Sequence, residues 1–308
     1  MPPPIAAQET DNGARARLRD GSAELEVAPA GGCITAFRWR RGDQVIDWLR
    51  PAPVQGRVAP GESSCYPLVP YSNRIREGRY SFEGRDYQLA RNFAPSPHAI
   101  HGHGWQSDWQ VADAGESHLV LAFAHEAQDW PSAYRAEQRF ELHDGNLAVS
   151  LALTNTGVAA MPAGLGLHPY FPRTPRCCLT APVQQMWATD DEVMPTELVA
   201  PSAGADPGQG LLPNAAVLDN GFTGFSGRAA IDWPEHKARL ELEADPVLSF
   251  LVVFTPPGRD YFCAEPVSHC TDAVNLAASR TDTGLRVLQP GETLTAEVRF
   301  LPRLDSAG

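Results

Sequence analysis

The chain has 308 residues, 43% hydrophobic and 20% charged, and 25 basic against 37 acidic residues leave a net charge of −12. Such a composition excludes a disordered or collagen-like chain, and a body of 33.4 kDa has room for a large core. The acidic balance repels phosphate backbones and anionic lipid, so neither nucleic acid nor a membrane surface is an expected partner. Residues 1–20 (MPPPIAAQETDNGARARLRD) lack the apolar stretch of a secretory leader and read as a flexible N-terminal segment. Strand patterns follow. Ala23–Val27 alternates apolar and polar residues, and Arg79–Leu89 does so on either side of Glu83-Gly84. Tyr134–Leu142 and Leu147–Leu153 alternate about a His143-Asp144-Gly145-Asn146 connection, which predicts a β-hairpin. Pro201–Pro213 reads as a loop, and strand patterns resume at Ala238–Leu242, Leu248–Phe254 and Leu294–Phe300.

No window of a dozen residues carries a helical apolar period. The 26 glycines and 28 prolines are spread throughout, as suits many short strands joined by turns. The expected fold class is therefore all-β: one large antiparallel sandwich. No run approaches the ~18 apolar residues that span a bilayer; the longest, Val247 to Phe254, has strand length. Cys33, Cys65, Cys177, Cys178, Cys263 and Cys270 show no paired CxxC spacing, so free thiols and a cytoplasmic location are expected.

Four polar clusters break the strand background. In Tyr66–Ile75, Pro70 interrupts any strand, and Arg74 sits in a turn where its guanidinium can fork onto a ligand's oxygens. In His98–Gly104, three histidines fall within six residues. They suit either a metal site or acid–base work on a polar ligand, with Gly102 and Gly104 allowing close backbone approach. In Gly164–Pro172, His168 lies among small and apolar residues that can move its pKa toward the working pH. In Tyr261–His269, Glu265 ends an apolar run, where a carboxylate is costly unless hydrogen-bonded or used.

Taken in order, these clusters resemble the aldose 1-epimerase (galactose mutarotase) family from about Ala23 to Leu301. The pieces are PYSNRI at 70–75, HAIHGHG at 98–104, GLGLHPYF at 164–171 and CAEPVSH at 263–269, with weaker support from DWPSAYRAEQRFEL at 129–142 and LDNGF at 218–222. The resemblance implies a single-domain galactose mutarotase-like supersandwich over residues 21–303, with 304–308 as a tail. It also implies a cofactor-independent isomerase, needing no metal, that interconverts the anomers of a free, unphosphorylated aldose. Glu265 would take the proton of the anomeric hydroxyl, and His168 would give one to the ring oxygen. His101, Arg74 and Asp219 would bind the sugar, and which of His98, His101 and His103 faces it stays open. Trp105 or Trp130 would stack on the pyranose or simply pack in the core. A monosaccharide is the expected partner, and the chain is expected to be a monomer or homodimer.

Four rival readings compete with this one. A non-catalytic sugar-binding protein would use Arg74 and Asp219 but not a proton-transfer pair. A metal enzyme would use His98, His101 and His103. A hexose-6-phosphate epimerase would carry more basic residues than Arg74 and Arg76. A glycosidase is weaker still, since it would need two carboxylates about the bond.

Overall fold

The computed structural model describes residues 15–304 apart from 55, 129 and 131. The chain forms two large antiparallel sheets, of 11 and 8 strands among the described residues. The larger runs in space from Ala16–Asp20 through Ala23–Ala28, Cys33–Arg41, Cys65–Leu68, Gly166–Pro172, Tyr261–Val267, Phe250–Phe254 and Asp219–Thr223 to Gln185–Thr189 and Pro195–Val199. Its companion is built on the hairpin Tyr134–His143 and Asn146–Asn155, followed by Thr293–Leu304 and Ala238–Ala244. Period-2 alternation in both sheets supplies an apolar face, and these faces meet in one core. Phe37, Phe171, Phe222 and Phe262 come to it from the larger sheet, Phe140 and Phe300 from the smaller, all fully buried. Each such ring contributes roughly 1.5–3 kcal/mol by burial.

The expected hairpins form. Tyr134 to His143 pairs with Asn155 to Asn146 without a slip. Its turn residues Asp144 and Gly145 adopt φ of 50° and 77°, the left-handed pair that matches strand twist. Glu83 and Gly84 repeat this at φ 49° and 74°. The one α-helix among the described residues is the short Ala273–Leu276, and no helix is long and apolar enough to cross a membrane. All six cysteines are free.

Two boundaries change. The sandwich begins before residue 21, because Ala16–Asp20 pairs along its length with Ala23–Val27. Leu18 of this strand joins the core, and Arg17 pairs with Glu26 at 3.3 Å. At the other end Leu304 still belongs to the last strand. The rest of the N-terminal segment (1–14) and of the tail (305–308) lies outside the described residues. The Pro201–Pro213 stretch is a loop carrying one 3-10 turn, Pro207–Gln209.

Three central strands of the larger sheet are buried on both faces. Cys65–Leu68 is buried throughout, and Gly166–Pro172 and Tyr261–Val267 are buried at all but one position each. Their core-facing residues, Cys65, Leu167, Phe171, Phe262 and Ala264, join the main cluster. Their alternate residues build a second one with Tyr66, Tyr170, Cys263 and Val267, roofed by Ile100, Trp105 and Ala273 from the loops. The candidate site residues arise on this second face.

Candidate active site

Register decides which polar groups meet. Tyr66 stands directly opposite His168 on the neighbouring strand. On the other side Gly166 pairs with Val267 and Tyr170 with Cys263, which sets His168 level with Glu265. Glu265 in turn pairs with Val252, and Val252 with Gly221, two residues along from Asp219. One row on one face thus carries an imidazole and a carboxylate side by side. His168 Nε2 lies 3.2 Å from Glu265 Oε1, and both side chains are buried, at 8% and 3% exposure. Glu265 Oε2 and His168 Nδ1 meet no hydrogen-bond partner.

A turn brings the other groups. Arg74–Ile75 pairs with Ala99–Ile100, and His101 N donates to Asn73 O at 2.9 Å. Asn73 N returns a bond to His101 Nδ1 at 3.1 Å, so the neutral ring carries its proton on Nε2. Both residues sit at positive φ, 57° for Asn73 and 61° for His101. Gly102 follows at φ 67°, where a Cβ would lie 2.2 Å from the Val69 carbonyl oxygen. Only glycine permits that approach, which clamps the histidine loop beneath the 69–75 turn. His101 then meets His168 edge-on, with ring centroids 5.4 Å apart. Asn73 Oδ1 accepts from Arg74 Nη1 at 3.1 Å, and Arg74 Nη2 reaches Asp219 Oδ2 at 3.2 Å. At 18% and 28% exposure this pair forms the open rim of the site, with a donor fork and an acceptor suited to vicinal hydroxyls.

The five residues singled out in the sequence therefore converge, and of the three histidines it is His101 that lies beside the pair. His98 turns away: its Nδ1 accepts from Glu77 N, and its Nε2 faces Glu192 at 3.6 Å. His103 stacks on His125 at 4.5 Å. The three histidines consequently form no common metal site. One group with metal-ligand spacing does occur among the described residues: His168, Cys263 and Glu265 offer atoms within 4.8 Å of one another. Two of its three members are the contacting pair itself, His168 and Glu265, with the Cys263 thiol beside them. Trp130 stacks on Tyr71 and Tyr80 in the main core. Trp105 backs Tyr66 and His101. Of the 129–142 motif, Asp129 and Pro131 lie outside the described residues.

Burial dominates the electrostatics. It pushes the Glu265 carboxyl well above the usual range, and Asp219 adds to the rise while Arg74 opposes it. It pushes the His168 imidazole down, its own main chain opposes, and the Arg50 guanidinium adds to the fall. His101 is depressed by burial, then by His168 and Arg74. Burial thus disfavours the charged form of each member of the pair across their 3.2 Å contact. A proton passed from the Glu265 carboxyl to the His168 imidazole would turn a neutral acid and base into a carboxylate and an imidazolium. Sequence reasoning assigned no role to Tyr66, Tyr170 or Arg50, which pack about His168. Tyr66 and Tyr170 were visible inside quoted motifs, but aromatic residues in strands usually mark ordinary core. Arg50 carried no signal at all.

Known proteins share this framework. The family model for aldose 1-epimerase matches residues 15–301. The uncharacterized protein YphB of Escherichia coli K12 is 32% identical over 297 residues, covering 91% of this chain and 96% of its own. A crystal structure from Escherichia coli K12, provisionally called an aldose 1-epimerase, superposes with a TM-score of 0.86 at 31% identity, covering 95% of this chain and 99% of its own. A galactose mutarotase-like protein from Clostridium acetobutylicum gives 0.85 at 19% identity over 96% of both chains, a likeness of fold alone. With the match running nearly end to end over this sandwich and its site, the chain belongs to the aldose 1-epimerase family.

Proposed function

We propose that the protein is a mutarotase for a free, unphosphorylated aldose, with Glu265 as base and His168 as acid. The observation that carries the reading is the direct contact between His168 Nε2 and Glu265 Oε1 at 3.2 Å, beside the Arg74–Asp219 rim. The anomeric hydroxyl and the ring oxygen of a pyranose sit on the same carbon. A base and an acid in contact suit two such neighbouring oxygens, whereas glycoside cleavage calls for carboxyl groups about 5 Å or more apart.

Arg74 and Asp219 would orient the sugar hydroxyls, and the His101 Nε2–H would donate near the ring oxygen. Substrate hydroxyls at the pair favour its charged form, Glu265 carboxylate with His168 imidazolium. Glu265 then accepts the proton of the anomeric hydroxyl as His168 protonates the ring oxygen, and the ring opens to the aldehyde. Rotation about the bond between C1 and C2 presents the other carbonyl face, and closure reverses both transfers. Each group would contribute about 10²–10⁴-fold. The proton count of site plus substrate stays constant throughout.

The cations about the pair favour a neutral sugar over a phosphorylated one. Arg74 is bonded to Asp219, Arg76 to Asp190 and Arg50 to the carbonyls of Gly61 and Ser63. Polarimetry on freshly dissolved α-anomers of glucose, galactose, arabinose, xylose and rhamnose tests the proposal. Accelerated equilibration of at least one is expected. Measurable binding with only the spontaneous rate for every sugar would instead identify a sugar-binding protein.

A further inference from the structure

His168 is buried, yet no other residue hydrogen-bonds its Nδ1, and only its own main chain bears on the ring. A carbonyl or carboxylate from a neighbouring residue, the usual device for fixing an imidazole through its second nitrogen, is missing. Stacking takes its place. The Tyr66 ring lies 4.4 Å from the imidazole at 27°, and the Tyr170 ring 4.8 Å from it, also at 27°. Both ends of this stack are tied down. Trp105 backs Tyr66 at 5.4 Å, with its Nε1 bonded to Gly102 O. Beyond Tyr170, the Arg50 guanidinium carbon stands 4.0 Å over the ring and 4.4 Å from the Tyr261 ring. Arg50 is itself clamped: Nη2 donates to Gly61 O and Ser63 O, and its main-chain N donates to Tyr170 O.

We propose that Arg50, though it touches neither His168 nor a sugar, is a positioning residue that acts through Tyr170 to hold the His168 imidazole against Glu265. The assignment rests on the mutarotase reading for its catalytic meaning, but not for its structural test. A guanidinium between two aromatic faces is a planar, permanently charged spacer that lysine cannot imitate. It limits tilting of Tyr170, and therefore of the imidazole stacked on it. Its charge also disfavours protonation of the histidine. The other groups facing His168 are Glu265 and Cys263 from one neighbouring strand, Tyr66 from the other, and His101 from the loop.

The test is the Arg50→Gln variant of the full chain, followed by nitrogen-15 NMR of its histidine rings, with the His168 signal identified from its loss in His168→Asn. Loss of the cation should raise the pH at which His168 titrates and change its tautomer signals. In turnover, kcat should fall about tenfold while KM stays within about twofold, since a small misplacement of a reacting group is costly. A merely structural arginine would lower stability and leave the His168 signals and the kcat of folded enzyme unchanged, and that result overturns the proposal. Should Arg50→Gln fail to fold, Tyr170→Leu and Tyr170→Phe decide. The phenylalanine variant keeps the ring and should recover most of the His168 titration and rate lost in the leucine variant. Equal behaviour of the two would sink the proposal. If the wild type accelerates no anomer exchange, the function reading fails, and the NMR titration still judges Arg50.

Discussion

The hairpin at 134–155 and the central strands of the larger sheet are made of the same backbone but handle polar residues in opposite ways. In the hairpin every second side chain faces outward, and Arg135, Glu137, Arg139 and Glu141 line that outer face as solvated ion pairs. In Gly166–Pro172 and Tyr261–Val267 both faces are covered, so His168 and Glu265 have no water to lean on. The first arrangement stabilises weakly and tolerates change. The second shifts pKa values away from their ordinary range. A polar residue in a doubly covered strand is therefore the stronger functional sign.

The comparison breaks most visibly at the pair. Glu265→Gln should lower kcat by about 10²–10⁴-fold with binding nearly intact, and His168→Asn should act similarly, as measured by polarimetric turnover and sugar titration. Near-normal turnover in either would remove the assigned roles. The converse holds in the shared core. Phe140→Ala should cost about 3–5 kcal/mol by denaturant melt while the folded enzyme keeps its pH profile. Arg74→Ala should raise KM roughly tenfold or more, with a smaller change in kcat, because in its proposed role Arg74 would bind sugar hydroxyls alike in ground and transition states.

Stability against pH sharpens the contrast further. Glu265 has a folded pKa above its ordinary 4.5, so the folded state holds that proton more tightly and stability falls as pH climbs from 4.5 toward the raised value. His168 falls from 6.5 to about 3 on folding, so its contribution is lost as pH drops between those values. Melting temperatures of Glu265→Gln should accordingly decline less than wild type above pH 4.5, and those of His168→Asn less below pH 6.5. Parallel curves would mean that burial does not govern these groups. The smallest effect belongs to the outer face: Arg139→Ala should change stability by no more than about 0.5 kcal/mol, since its partner Glu141 is equally solvated.

Legibility in the sequence follows the same divide. Alternation and Asp144-Gly145 announced the hairpin because one of its faces is wet. His168 and Glu265 stood out as polar residues in apolar runs, and motif order supplied their partners. His101 could not be chosen over its neighbours from spacing, because a left-handed residue and Gly102, not strand alternation, decide where each imidazole points. Ala16–Asp20 was missed because its charged residues look like a polar leader until Ala23–Ala28 is placed beside it. Arg50 was invisible because its role depends on two rings that reach it from distant strands.

Tyr66, His168 and Glu265 lie on adjacent strands, but each follows the last by roughly a hundred residues along the chain. Such distant pairings close late in folding, since loop entropy must be overcome first. Turnover should thus return after strand signal in a refolding experiment, and no fragment ending before Tyr261–Val267 should retain any. Catalysis in this architecture is a property of the completed sheet, and sugar turnover doubles as a gauge of whether the last strands have been zipped in.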